Sequence, residues 1–149
     1  MHGKGFEKLV SVRCREMGIV CKRIADGCEV LSPNHVIRKK QPFDFFAVKD
    51  SEGVFFDCKA MQSGRTFAYS KIDRDQLSHL LDMSNEGFEA GYLVFCIEEN
   101  YCRWIPADIL DDIEPGSSVR LCDVRSTSPL VNMLESIKLA SPARHSPSK

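Results

Sequence analysis

Hydrophobic positions recur along the chain with two different periods, and the switches between them outline its elements. Phe6, Leu9, Val10, Cys14 and Met17 repeat at three- and four-residue spacing, with Lys8, Arg15 and Glu16 elsewhere on the cylinder. That spacing predicts a helix from Gly3 to Met17, stopped by Gly18. The β-branched run Ile19 to Ile24 predicts a short strand and Cys28 to Leu31 a second, with Ser32-Pro33-Asn34-His35 as loop. Phe43 to Val48 and Val54 to Ala60 are the clearest strands, and Lys49 to Gly53 between them reads as a hairpin connection.

A polar loop, Gln62 to Thr66, precedes a helix expected from Asp73 to Ser84, with Asp73 as its N-cap and Leu77, Leu80 and Leu81 on one face. Tyr92 to Ile97 and Tyr101 to Ile105 form another strand pair, turning through Glu98-Glu99-Asn100. Pro106 to Asp111 reads as one or two helical turns. Ser128 as N-cap and Pro129 at the first helical position predict a last helix running through Leu139, with an apolar stripe of Leu130, Met133, Leu134 and Ile137. Covering the chain's own core is the ordinary use of such a stripe, and a subunit interface is the other. Residues 141–149 have the composition of a disordered tail. The order helix, strands, helix, strands, helix predicts a mixed α/β or α+β domain.

Composition narrows the class. The chain has 149 residues, 43% hydrophobic and 28% charged, the profile of one soluble globular domain. No run approaches the roughly 18 apolar residues of a membrane helix. The opening residues lack the basic-then-apolar order of a signal peptide, so an intracellular location and no membrane partner are expected. Seven cysteines, an odd number with no Cys-x-x-Cys pair, fit reduced and mostly buried thiols. Cys14, Cys21 and Cys28 recur every seven residues across a helix end, so one face cannot hold all three. His35 and His79 stand without partners at ligand spacing and read as structural.

Charge is unevenly distributed. The net charge of −1 hides a surplus of +5 over residues 1–40, set by nine Lys/Arg against four acids, and a deficit of −6 over the remainder. Between Glu86 and Glu114 stand eight acids and only Arg103. A polyanion could approach the basic third, although uneven solvation alone gives the same pattern.

The central hairpin carries the informative residues. Asp57 and Lys59 share a face of their strand, and Asp44 lies opposite them on the preceding one. A pairing register with an odd residue sum puts all three on one face, and an even sum separates them. Two facing carboxylates repel at the roughly 4.5–5.5 Å of a cross-strand pair. A divalent metal with oxygen ligands offsets that repulsion; a plain ion pair with Lys59 on a solvated face is the alternative. The flanking Phe43, Phe45, Phe46, Phe55 and Phe56 favour covered strands, where charges are costly unless paired or metal-bound. Glu7 falls at the edge of the first helix's apolar face, within reach of the sheet or solvated as a first-turn acid. Gln76 stands three residues after Asp73, where a capping-box role competes with a site role.

Glu7 in the first helix, Pro42-Phe43-Asp44, then Asp57-Cys58-Lys59 one hairpin later resembles the PD-(D/E)xK nuclease superfamily and its restriction-endonuclease-like core. Within it, Gly3-Lys4-Gly5-Phe6-Glu7, Lys40-Gln41-Pro42, Asp75-Gln76-Leu77 and the strands Tyr92-Leu93-Val94-Phe95 and Tyr101 to Ile105 are similar to Holliday junction resolvases of the recombination protein U and archaeal types. The resemblance covers about residues 3–110 and nothing after Glu114, and it implies an α/β fold, a mixed sheet flanked by helices, in a single domain over 1–140 with its core at about 3–110 and an extension over 115–140. It implies a catalytic set of Glu7, Asp44, Asp57, Lys59 and Gln76. It implies magnesium, with manganese as a substitute, held by Asp44, Asp57, the Cys58 carbonyl and Glu7. Lys59 would orient water or stabilise developing charge, and Gln76 would position the Lys59 side or a phosphate. Lys4, Arg38, Lys39 and Lys40 would contact DNA backbone, and the implied partners are four-way-junction DNA and a second copy in a homodimer.

Three departures stand out, and the first two bear on junction selectivity but not on the metal site. Residues 25–41 leave room only for a short version of the stalk found in the recombination protein U type. Ser32 is the only serine where the archaeal type has a catalytic one. The C-terminal extension has no counterpart in the resemblance. Two other readings therefore stand beside the resolvase: a nuclease of the same superfamily acting on flaps, nicks or replication intermediates, and a non-catalytic DNA-binding module on the same fold.

Overall fold

The computed structural model describes residues 3–24, 27–32, 35–39 and 43–139, with backbone alone for 3–4, 27–32 and 35–39. Lys40, Gln41, Pro42 and the tail 141–149 lie outside the described residues.

The chain opens with α1 (Gly3–Glu16), ended by Gly18 at a positive φ of 74°, where a glycine meets no Cβ penalty. β1 (Val20–Arg23) follows, then a separate hairpin of β2 (Gly27–Ser32) and β3 (His35–Lys39). β3 has no counterpart in the sequence pattern, which places His35 in loop. β4 (Phe45–Lys49) and β5 (Glu52–Met61) form the central hairpin. β6 (Thr66–Ala68), α2 (Arg74–Asn85), β7 (Glu89–Cys96), β8 (Tyr101–Pro106), α3 (Ala107–Asp112), β9 (Ser118–Arg120) and α4 (Pro129–Glu135) complete the order. The main sheet runs β1-β4-β5-β7-β8; β5 and β7 are parallel across the α2 crossover, and the other pairs are antiparallel. β6 and β9 pair separately.

Period-two alternation divides the sheet into two faces. Phe45, Ala47, Val54, Phe56, Cys58, Leu93 and Phe95 face α1 and α4, meeting Phe6, Val10, Cys14, Leu130, Val131 and Leu134. Tyr92, Val94 and Ile105 face α2 and α3, meeting Leu77, Leu80, Ala107 and Leu110. Asp57 and Lys59 lie on this second face.

The central turn differs from its expected form. Asp50 and Ser51 alone close it, with φ of 52° and 69°, the two-positive-φ geometry whose twist matches a tight hairpin. Gly53, expected within the connection, is instead a strand residue. A Cβ there would stand 3.3 Å from the Phe46 ring, so the glycine makes room for Phe46 and Phe88 over β5. A second close approach is at Gly91, where a Cβ would fall 2.2 Å from the Ile105 carbonyl oxygen.

The C-terminal extension is part of the core. Leu130, Leu134 and Ile137 are almost fully buried and Met133 partly so, and the stripe covers this chain's own sheet. Glu52 seats the helix: its carboxylate accepts from Leu130 N–H at 3.0 Å and from the Ser128 hydroxyl, favourably placed at the helix N-terminus. Glu135 accepts the N–H of Trp104 at 2.9 Å, satisfying a donor of β8, the last strand of the sheet. α4 stops at Glu135 rather than Leu139. Asn100 draws the following residues out of the helix, its side chain accepting Leu139 N–H at 2.8 Å and its carbonyl accepting Lys138 Nζ at 3.3 Å.

Candidate active site

Phe45 pairs with Phe56 and Lys49 with Glu52, an odd residue sum throughout the hairpin. Continued one step, that register sets Asp44 against Asp57, on the face that also carries Lys59. Asp44 itself lies in a bend just before β4, not within a strand. The alternation breaks there: Phe43 joins the α2 side, packed edge-on against Phe55, although the strand pattern puts it on the opposite face. The bend brings Asp44 Oδ2 to the N–H of Cys58 at 2.9 Å. Asp44 and Asp57 are 4% and 2% exposed, so both are withdrawn from water.

Lys59, Gln76 and Asp57 close a ring. Lys59 Nζ stands 2.9 Å from Asp57 Oδ2 and donates to Gln76 Oε1 at 2.9 Å, while Gln76 Nε2 donates to Asp57 Oδ1 at 3.2 Å. Tyr92, the parallel-register partner of Asp57, lies beneath, with Lys59 Nζ 4.9 Å from its ring centroid. Its hydroxyl accepts the Asp73 N–H at 3.2 Å, tying β7 to the start of α2. Asp73 caps α2 as expected, accepting from the N–H groups of Asp75 and Gln76 at 3.0 and 3.2 Å. The Gln76 side chain is spent on Asp57 and Lys59. Tyr92 joins this cluster, whereas sequence pattern alone treats it as strand core, because only the β5–β7 register shows its position.

Burial raises the Asp57 carboxyl to about 7, reinforced by the Asp44 charge and by a hydrogen bond between the two; Lys59 opposes the shift without cancelling it. Two hard carboxylate donors side by side, one of them held up by burial and by the other's charge, fit a hard divalent cation such as magnesium. Among the described residues no three His, Cys, Asp or Glu side chains gather as a ligand group. Glu7 forms an ion pair, its Oε1 3.0 Å from Arg23 Nη2, and its charge, like those of Asp44 and Asp57, is felt by the Cys58 thiol. Cys58 is buried with its thiol on the α1 face, and burial pushes that thiol up.

Lys4 lies in α1, and Arg38 and Lys39 lie on β3, with backbone alone described. Ser32 ends β2 and pairs with His35. His79 is exposed on α2. Six cysteines are free thiols, four of them buried, and Cys28 is described by its backbone only.

A five-stranded mixed sheet with helices on both faces, its central hairpin joined in parallel to β7 across α2, is a restriction-endonuclease-like fold. The solved structure of Hjc from Archaeoglobus fulgidus, a Holliday junction resolvase, matches at 20% identity and a TM-score of 0.56, over 79% of this chain and 88% of that one. The likeness is one of fold, in agreement with the resemblance read from the motifs. No protein-family model matches the sequence, and no curated protein matches it.

Proposed function

We propose that this chain is a magnesium-dependent, structure-selective DNA endonuclease that nicks branched DNA as a Holliday junction resolvase does. The observation that carries the reading is the closed Asp57–Lys59–Gln76 ring beside the buried Asp44. A buried pair of acids is costly to fold around, and structural ion pairing would be served by one acid and one base.

Asp44 and Asp57 would hold the ion, with the Cys58 carbonyl as a further donor. A bound divalent cation supplies charge relief on the scissile phosphate and acidifies water. The chain's own residues do the rest. The Cys58 N–H fixes the Asp44 carboxylate. Gln76 holds Lys59 with one end and Asp57 with the other, so the ammonium is presented at one place, where it can orient water or meet the developing negative charge. Lys4, Arg38, Lys39 and Lys40 are proposed as backbone contacts, which carry affinity rather than sequence.

Paired nicks need two sites, and a two-fold homodimer matches the symmetry of a four-way junction. A flap- or nick-directed nuclease is the second reading: it needs one site per nick, and the α4 stripe, packed on this chain's own sheet, supplies no argument for a dimer. No helix among the described residues is long and apolar enough to cross a membrane, compatible with work on intracellular DNA.

The deciding experiment compares cleavage of a labelled four-way junction with flap, fork and duplex DNA, with and without magnesium, alongside the solution mass. Magnesium-dependent symmetric nicks by a dimer are expected. Monomeric cutting of flaps alone would favour the second reading, and no cleavage of any substrate would remove the nuclease.

A further inference from the structure

Two adjoining cavities run between α1 and β1. The first, of about 390 Å³, is lined by Glu7, Lys8, Ser11, Arg23 and Phe45; the second, of about 430 Å³, includes Ser11, Arg15, Val20, Cys21 and Lys22. Ser11 belongs to both, so they form one groove that starts beside the Glu7–Arg23 pair and leaves along the outer strand of the sheet.

The groove's chemistry is one-sided. Lys8, Ser11 and Arg15 stand three and four residues apart, which puts them on one stripe of α1, and Lys4 falls on the same stripe one turn earlier. β1 supplies Lys22 and Arg23 opposite. Among the described lining residues Glu7 is the one acid, and it is paired with Arg23. The nearby Glu16 is engaged with Arg13 at 3.0 Å. Lys8, Arg15 and Lys22 are exposed and form no ion pair with any carboxylate among the described residues. Three free cations gathered in one groove, in a chain whose net charge is −1, are a local surplus that a polyanion relieves.

We infer that the groove between α1 and β1 holds the sugar-phosphate backbone of a DNA strand on its way to or from the aspartate pair, with Lys8 on a phosphate at one end of the groove and Arg15 and Lys22, from its two walls, at the other. Lys8 to Arg15 spans about 10 Å of helix at ~1.5 Å per residue. At ~3.4 Å of rise per nucleotide of one strand, that length covers about three phosphates. Ser11 between them adds a hydroxyl donor. The contacts are to backbone, so they set register and direction without reading bases. This inference rests on the nuclease reading for the strand's destination, but the groove's affinity for DNA is measurable without cleavage.

The test is equilibrium binding, with metal removed by chelation, to a fluorescent four-way junction and a duplex between 50 and 200 mM salt. The proteins are the wild type, R15Q/K22Q and K8Q, with K71A/R120A as a control that removes two exposed cations outside the groove. R15Q/K22Q is expected to bind both DNAs about tenfold more weakly, with the slope of log affinity against log salt flatter by about 2, and K8Q with a slope flatter by about 1. Far-UV circular dichroism should be unchanged, since these side chains are exposed. An unaltered salt slope in R15Q/K22Q, a loss no larger than in the control, or a wild type that binds no DNA would each overturn the groove. Binding through the groove by a chain that cuts nothing in magnesium would remove the nuclease reading and leave the groove standing. Cleavage with an unaltered slope would do the reverse.

Discussion

Gln76 donates its side-chain N–H to the Asp57 carboxylate at 3.2 Å, and the oxygen of the same amide accepts Lys59 Nζ at 2.9 Å. One neutral residue on α2 thus sets the relative position of the acid and the base on β5. Asp57 and Lys59 are only two residues apart on one strand face, yet Lys59 carries four rotatable bonds, and its ammonium would otherwise sample a wide arc. The N-cap at Asp73 fixes the first turn of α2 and so places Gln76.

Replacing Gln76 by Ala should therefore act on turnover through Lys59. A loss of cleavage of about 10–100-fold is expected, the usual range for a partner that orients a site residue. Junction affinity should be unchanged. Equal losses in affinity and turnover in a binding-plus-cleavage comparison would show that Gln76 meets DNA directly.

Asp57 sets a pH dependence on the metal-free protein. Its carboxyl is raised from an ordinary 3.8 to about 7 by burial and by Asp44. The folded state thus binds that proton more tightly than the unfolded one, and stability is lost as pH rises from about 4 through about 7. Thermal melting in chelator should show Tm falling between pH 5 and pH 8. Asp57→Asn, which has no proton to lose, should flatten the fall, and magnesium should restore Tm of the unsubstituted protein at pH 8. An identical profile in Asp57→Asn would reassign the shift.

Asp44→Asn and Asp57→Asn should each lower cleavage by several orders of magnitude while leaving the fold intact, because a neutral amide is a poor magnesium ligand. An asparagine amide oxygen at position 44 can still accept the Cys58 N–H, and the neutral side chain at position 57 removes a repulsion. Junction binding should survive. Lys59→Ala should abolish turnover with little change in affinity, whereas Lys39 and Lys40 to Ala should weaken binding and flatten its salt slope. Unchanged turnover in either aspartate variant would dismiss the nuclease; matching behaviour of the lysine variants would misplace the site.

Leu134→Ala probes the extension. Leu134 is fully buried beneath the sheet, and truncation there should cost about 2–5 kcal/mol by denaturant titration. A value below about 1 kcal/mol would mean that α4 is an appendage after all.

Much is legible without coordinates because it depends on local periodicity. The stripe Phe6, Val10, Cys14 is helical in any context that buries one side, and Phe45 to Lys49 and Val54 to Lys59 alternate as strands must. Asp73 and Ser128 cap their helices through side-chain geometry confined to one turn. The facing of Asp44, Asp57 and Lys59 is conditional on register, which the sequence leaves open between two cases. The two-residue turn at Asp50-Ser51 chooses the odd sum, and a turn longer or shorter by one residue would split the set. Nothing local shows Tyr92 beneath Lys59, since β7 joins β5 in parallel only after the α2 crossover. Arg23 meeting Glu7 likewise depends on how α1 lies over β1. The end of α4 escapes the pattern because its spacing continues to Leu139, while the hydrogen bonds of Asn100, from another turn of the fold, stop it at Glu135. Residues that touch within a turn or a strand are set by the chain's own geometry; those that touch across elements depend on packing, and the bend that presents Asp44 to Cys58 is of the second kind.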